Sequence, residues 1–147
     1  MTTDWTTRLP TAHNVHTVLG IETEEVSPER VVLRLNVTPD VHQPFGILHG
    51  GVSALLAEGA ASIGGVVSVP EGYVVVGTEL NCSHLRPVRS GIIRAIATPI
   101  RKGRTVHVWA VEIIDEAGRQ ISVSRCSLQV VKEPSSQSSG VELREPN

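Results

Sequence analysis

Apolar and polar positions follow two different periods along this chain. From Gly50 to Ser68 the residues are mostly Ala, Leu, Val, Gly and Ser in helical spacing, with no proline before Pro70, which predicts one long helix. Residues 31–37 have the β-branched content and partial alternation of a strand, and a short helix is predicted at residues 12–19. Apolar, β-branched runs predict four further strands at residues 72–85, 91–100, 105–114 and 120–131.

Two glycine-containing segments, at residues 101–104 and 115–119, have the composition of hairpin turns, so the last three strands are predicted to form an antiparallel meander. The order strand, long helix, four strands predicts an α+β fold. A helix this poor in charge needs apolar surroundings almost all the way round, and one curved sheet wrapped around it would supply them. Such a sheet leaves strand edges unpaired, so a dimer is expected.

Length and composition predict a single domain, since 147 residues with 40% hydrophobic content can build one core. We place it at residues 12–131, after a flexible N-terminus at residues 1–11 that lacks the apolar segment of a secretory signal. Small polar residues predict a disordered tail at residues 132–147. Residues 52–69 contain Glu58 among several glycines and serines, which favours a buried helix over a membrane span.

The charge balance and the cysteines narrow the possible partners. A formal charge of -2 and a pI near 6.3 give no reason to expect nucleic acid or a membrane as a partner. Cys82 and Cys126 stand alone, without the CxxC spacing of a zinc or redox site, so a reducing cytoplasm is the expected location. The six histidines form no credible ligand set, and neither a metal nor a cofactor is expected.

Glu58 is the only formally charged residue between Asp40 and Glu71, and it lies in the middle of the predicted helix. Burying an unpaired carboxylate is costly, so it must find donors, raise its pKa or open onto a cleft. A raised pKa and a cleft are features of catalytic carboxylates. The alternative is that Glu58 is solvated at a helix edge or paired across a dimer.

The start of the helix offers a second chemical group. Its first turn has unpaired N–H groups at the positive end of the helix dipole, and Gly50 and Gly51 would let a substrate carbonyl approach the backbone closely. A diglycine alone fits a tight loop-to-helix junction equally well. Glu58 is a rise of roughly 12 Å beyond Gly50 along an ideal helix. A site shared across a dimer interface would bring the two groups together.

The run QPFGILHGG at residues 43–51, followed by Ala57, Glu58 and Ser62, resembles the hotdog-fold thioesterases of the 4-hydroxybenzoyl-CoA and phenylacetate-pathway type. It is most similar to the branch with its carboxylate on the central helix, which includes 1,4-dihydroxy-2-naphthoyl-CoA and enterobactin-associated thioesterases. GTELN at residues 77–81, HLRP at residues 84–87 and the last hairpin are also similar. The resemblance covers residues 40–131 well and residues 12–39 loosely.

This resemblance implies a hotdog fold and hydrolysis of an acyl-CoA to free acid and CoA. An aryl or arylacetyl group is the first choice for the acyl group. It implies that Glu58 is the nucleophile or the general base, a choice that stays open. Gly50 would donate its N–H to the thioester oxygen, and His49 would hold the mouth of the site or polarise that carbonyl. Gln43 would position water or the leaving thiolate, and Ser62 would add a hydroxyl beside Glu58.

The resemblance also implies a dimer or a homotetramer built as a dimer of dimers. Coenzyme A carries phosphates, which basic side chains could meet, although such residues in turns are often merely solvated. The candidate CoA contacts are one histidine and five cations: His84, Arg86, Arg89, Arg101, Lys102 and Arg104.

Other functions are compatible with the fold that the resemblance implies. A non-catalytic acyl-CoA-binding module would not need Glu58, Gln43 and Gly50 together. A dehydratase of this fold would use a paired Asp and His, which this helix lacks. A purely structural dimer explains neither Glu58 nor the diglycine. For a thioesterase, the alternative substrate is a medium-chain aliphatic acyl-CoA.

Overall fold

Two α-helices and six strands make up the part of the chain that the computed structural model describes, residues 7–9 and 12–134. Helix α2 and strand β2 have the bounds predicted for them, and β3 to β6 lie within two residues of theirs. In chain order the elements are α1 Val15–Leu19, β1 Glu22–Val26, β2 Val31–Val37, α2 Gly50–Ser68, β3 Tyr73–His84, β4 Gly91–Lys102, β5 Val106–Asp115 and β6 Gln120–Lys132.

All six strands belong to one antiparallel sheet in the order β1-β2-β4-β5-β6-β3. This confirms the α+β hotdog fold and the β4–β5–β6 meander. Strand β1 was not predicted, because four of its five residues are polar. It is held at the sheet edge by ion pairs, with Arg34 donating to Glu22 at 2.7 Å and Arg94 donating to Glu24 at 2.7 Å.

Helix α2 packs its small residues against the sheet. A Cβ on Gly64 would lie 2.6 Å from Cζ3 of Trp109 on β5, and a Cβ on Gly65 would lie 2.7 Å from Cδ1 of Leu128 on β6. Both distances are too short for a real side chain, so these two glycines allow the helix to approach the sheet. The helix is long and apolar enough to cross a membrane, and its contact with the sheet accounts for that composition.

The residues before α1 are fastened to the far end of α2. Arg8 donates to the carbonyl oxygens of Val66 and Val69 at 2.7 Å each, which gives these carbonyls at the helix terminus a side-chain donor, and to that of Tyr73 on β3 at 2.8 Å. Residues 1–6, 10 and 11 of the predicted flexible N-terminus lie outside the described residues. So do residues 135–147 of the predicted disordered tail, while Lys132 ends β6.

Strand β3 lies at one edge of the sheet. It is twelve residues long, pairs with β6 on one side, and has no strand on its other side among residues 7–9 and 12–134. Most of its residues are exposed, including Val76 at 48%. A long exposed edge of this kind is a ready partner for another strand.

Candidate active site

Glu58 opens onto a cavity of about 610 Å³ between α2, strand β3 and the N-terminal segment. We call this the carboxylate cavity. Its walls are mostly apolar, with three polar side chains among them; it is lined by Leu9, His16, Ala54, Leu55, Glu58, Gly59, Ser62, Ile63, Val66 and Leu80. The structure therefore places Ser62 beside Glu58, one helical turn further on, as the sequence predicts.

The Glu58 side chain reaches across to β3. A Cβ on Gly77 would collide with the Glu58 carboxylate, so the missing side chain at residue 77 is what makes room for it. The β3–β6 register shifts between Gly77 and Glu79, as expected for a bulge, a feature often found beside functional sites. The carboxylate is exposed and makes no hydrogen bond to the described residues, so it is free to meet a substrate.

Cys126 lies beneath this carboxylate on β6 and is fully buried. Burial, and to a smaller extent the negative charges of Glu58 and Glu79, together raise the pKa of the Cys126 thiol to about 11. The thiol is therefore protonated at neutral pH, and a protonated thiol is a poor nucleophile. Of these two neighbouring groups, Glu58 is the one able to act as base or nucleophile.

In the first turn of α2, one backbone N–H has no acceptor among the described residues. His49 caps the helix by accepting from the Gly51 N–H through Nδ1 at 2.8 Å. The N–H groups of Val52 and Ser53 donate to the His49 carbonyl. The Gly50 N–H donates to no atom within residues 7–9 and 12–134, which leaves it available to an oxyanion at the positive end of the helix.

Gly50 opens onto a second cavity of about 350 Å³, here called the helix-start cavity. His84 stands over Gly50, because a Cβ on that glycine would lie 2.8 Å from its Nε2. Gln43 also faces this cavity, and its side-chain oxygen accepts from the Phe45 N–H. The lining residues come from the loop before α2, its first turn, the end of β3 with the segment after it, and β6: Gln43, Ile47, Leu48, Gly50, Ser53, His84, Leu85, Arg86, Pro87, Val88 and Ile121.

The two cavities of one protomer share no lining residue. Glu58 and Ser62 belong to one, while Gly50, Gln43 and His84 belong to the other. One protomer therefore does not bring the carboxylate and the free N–H into a single pocket. These predicted residues therefore lie in two separate cavities of the protomer.

The candidate CoA-binding residues also separate into two groups. His84 and Arg86 line the helix-start cavity, and Arg89 lies close to it, with its carbonyl accepting from His42 Nε2 at 2.8 Å. Lys102 and Arg104 lie near Ser68 at the other end of α2, roughly 27 Å away along an ideal helix of this length; Arg101 is in the same hairpin.

Lys102 already has partners: its Nζ lies 2.5 Å from a carboxylate oxygen of Glu29 and 2.9 Å from the Pro28 carbonyl. Within one protomer, the group around Arg86 is therefore the one placed next to Gly50.

Two residues close to Glu58 were not recognised from the sequence. Gly77 was seen only as part of a motif, and its role depends on the fold bringing β3 against Glu58. His16 lies more than forty residues before Glu58, on the five-residue helix α1, and only the fold places it over α2. The described residues contain no group of three or more His, Cys, Asp or Glu placed to hold a metal ion.

Comparison with known proteins gives a consistent result. Residues 45–122 match the family described as the thioesterase superfamily. The chain is 44% identical over 114 residues to a protein of Listeria monocytogenes named 1,4-dihydroxy-2-naphthoyl-CoA hydrolase, covering 78% of this chain and 93% of that one. It is 41% identical over 113 residues to a protein of Cronobacter turicensis named proofreading thioesterase EntH, covering 77% and 82%.

Solved structures are similar as well. The crystal structure of a thioesterase from Haemophilus influenzae superposes with a TM-score of 0.79 at 41% sequence identity, covering 82% of this chain and 85% of that chain.

Proposed function

Because this chain belongs to the thioesterase superfamily and is a thioester hydrolase, we propose that its substrate is an aryl- or arylacetyl-CoA, which it hydrolyses to the free acid and CoA. The naphthoyl-CoA named for the Listeria relative supports an aromatic acyl group. The apolar walls of the carboxylate cavity, including Leu55, Ile63 and Leu80, suit such a group, since aromatic rings gain most from apolar burial.

The proposed active site is composite and is completed by a second copy of the chain. The observation that carries this is the separation of Glu58 and the free Gly50 N–H into two cavities of one protomer. The exposed edge of β3 supplies a way to join two copies, because strand pairing across a two-fold axis would extend the sheet. Glu58 of one protomer would then face Gly50, Gln43 and His84 of the other.

The chemistry follows from these groups. The Gly50 N–H, at the positive end of α2, would stabilise the negative charge that develops on the thioester oxygen. Glu58 would either attack the carbonyl carbon and release the CoA thiolate, giving a mixed anhydride that water then hydrolyses to the free acid and the free Glu58 carboxylate, or take a proton from a water that attacks the carbonyl carbon directly and displaces the thiolate. A backbone donor can stabilise the oxyanion and a carboxylate can act as nucleophile or base without a cofactor. The proposal therefore includes no cofactor.

A panel of CoA esters tests the substrate class. We expect benzoyl-, phenylacetyl- and hydroxybenzoyl-CoA to be hydrolysed with kcat/KM at least about tenfold above that of hexanoyl- or octanoyl-CoA, because a flat ring fills the apolar cavity better. Release of free CoA thiol is the measurement. A preference for the aliphatic esters would contradict the aromatic assignment while leaving the thioesterase activity in place.

Mixing two inactive variants tests the composite site. We expect Glu58→Ala and Gly50→Pro to be inactive alone, and a 1:1 mixture allowed to exchange subunits to recover about a quarter of wild-type activity. Half of the dimers would be mixed, and each mixed dimer would hold one intact pair of Glu58 and Gly50. A site contained in one protomer would carry a defect in every copy, so a mixture that stays inactive after exchange contradicts the composite site.

The same proposal includes the oligomeric assembly of the enzyme, its location in the cell and its contacts with the CoA phosphates. Assembly as a dimer, or as a homotetramer of two dimers, is supported by the free β3 edge, and its size can be measured by sedimentation. Cys82 and Cys126 are both free thiols, in keeping with the reducing cytoplasm as its location. Arg86 and Arg89 are the proposed first contacts for the CoA phosphates, being next to the half-site that holds Gly50.

A further inference from the structure

His16 and Glu58 are the two titratable side chains among the described residues that line the carboxylate cavity. Glu58 is assigned to the chemistry. His16 comes from a different part of the chain and has no role in the mechanism above. Its position and its hydrogen-bonding state indicate what it can do.

The backbone of His16 is held on both sides. Asn14 caps α1 by accepting from the His16 N–H at 2.9 Å, and Thr17 closes the capping box with the Asn14 N–H at 3.1 Å. The His16 carbonyl accepts from the Ile21 N–H at 2.9 Å, after the left-handed turn at Gly20. A five-residue helix fixed in this way holds its side chains in a defined position.

The imidazole rests on α2 directly beside Glu58. A Cβ on Gly59 would lie 2.7 Å from Nε2 and 2.8 Å from Cε1 of His16, so any side chain at residue 59 would displace the ring. Gly59 therefore provides the surface on which His16 sits. The ring is half-buried and faces the same cavity as the carboxylate.

The ring nitrogens of His16 have no hydrogen-bond partner within residues 7–9 and 12–134. Burial lowers the pKa of His16, so the imidazole is neutral at pH 7 and presents one donor and one acceptor nitrogen. A half-buried group of this kind becomes costly if a ligand covers it without pairing it. The natural complement to a neutral donor and acceptor is a hydroxyl group.

We propose that His16 is a specificity-determining residue that hydrogen-bonds a hydroxyl group on the aromatic acyl moiety of the substrate. This rests on the proposed function, since it assumes that the acyl group occupies the carboxylate cavity. The apolar walls would hold the ring of the substrate, and His16 would distinguish a hydroxylated ring from a bare one. A neutral imidazole beside the Glu58 carboxylate is poorly suited to a negatively charged substituent, so a hydroxyl group is favoured over a carboxylate on the ring of the substrate.

The test compares benzoyl-CoA with the 2-, 3- and 4-hydroxybenzoyl-CoA isomers. For His16→Phe we expect kcat/KM on the preferred hydroxylated isomer to fall about tenfold to a hundredfold, while that on benzoyl-CoA changes less than about threefold. His16→Gln keeps a donor and an acceptor and should recover part of the loss. It also keeps the test valid if phenylalanine perturbs folding. His13→Phe, at an exposed histidine three residues earlier, is the matched control and should leave the ratio of the two activities unchanged.

A binding measurement separates recognition from positioning of Glu58. Thioether analogues with a methylene between sulfur and carbonyl cannot be hydrolysed, and the inhibition constant of the hydroxylated analogue alone should rise in His16→Phe. An equal loss on hydroxylated and bare substrates would overturn the proposal, as would no change on either. Wild-type protein that hydrolyses only aliphatic esters would overturn it but leave the thioesterase. Failure to hydrolyse any acyl-CoA would remove the proposed function itself.

Discussion

Replacing Glu58 by alanine or glutamine is expected to lower kcat for acyl-CoA hydrolysis by about 10² to 10⁴-fold, the range contributed by a positioned general base. A nucleophilic role would place the loss at the upper end or beyond. Thermal unfolding should change little, because the carboxylate is exposed and has no hydrogen bond to the described residues. CoA release and melting followed by circular dichroism are the two measurements.

Glu71→Gln serves as the control for the Glu58 variants. Glu71 is an exposed carboxylate just beyond the far end of the same helix, so its replacement removes the same charge without touching the cavity. Activity close to wild type is expected there. If Glu58→Ala hydrolysed acyl-CoA as fast as Glu71→Gln, the assignment of Glu58 as base or nucleophile would be wrong.

Replacing Gly50 by proline and by alanine is expected to separate the role of its N–H from that of its small size. Both substitutions add a Cβ near the flexible end of His84, but only proline removes the N–H. Proline is well tolerated at the first helical position, and His49 already has the extended backbone, φ -68 and ψ 129, that a residue before proline adopts. We expect kcat of Gly50→Pro to lie about 10² to 10³-fold below that of Gly50→Ala.

The Gly50 pair is judged by kcat, with melting temperatures as the check on folding. Gly50→Ala should retain measurable turnover, since it keeps the donor and loses only free space. Equal activities for the alanine and proline variants would show that the backbone N–H does not stabilise the oxyanion. A large loss in both would instead indicate that the space next to His84 is what the reaction needs.

Local patterns were sufficient to predict most of the secondary structure. The period of α2, the β-branched content of β2 to β6 and the glycine-containing hairpins are properties of short segments, and each element formed close to its predicted bounds. Strand β1 was missed because its polar residues carry no such pattern. Its arginine partners belong to β2 and β4, so its stability depends on the sheet rather than on its own sequence.

The pairing of β3 with β6 could not be predicted from short sequence segments either. These strands are separated in the chain by β4 and β5, and their contact leaves β3 as an edge strand next to Glu58 in the part of the chain that the structure describes. Long-range pairing of this kind is decided by how the whole sheet buries α2. The proposed dimer interface and the space at Gly77 both follow from it.

By itself, the sequence predicted the reactive group and the donor, because Glu58 is the one formal charge in a long apolar segment and the diglycine marks the start of its helix. The tertiary structure alone decided that these two groups lie in separate cavities of one protomer and that His16 rests on Gly59 beside the carboxylate. The reason is that charge and periodicity are local properties, whereas a cavity is formed by side chains that only packing brings together.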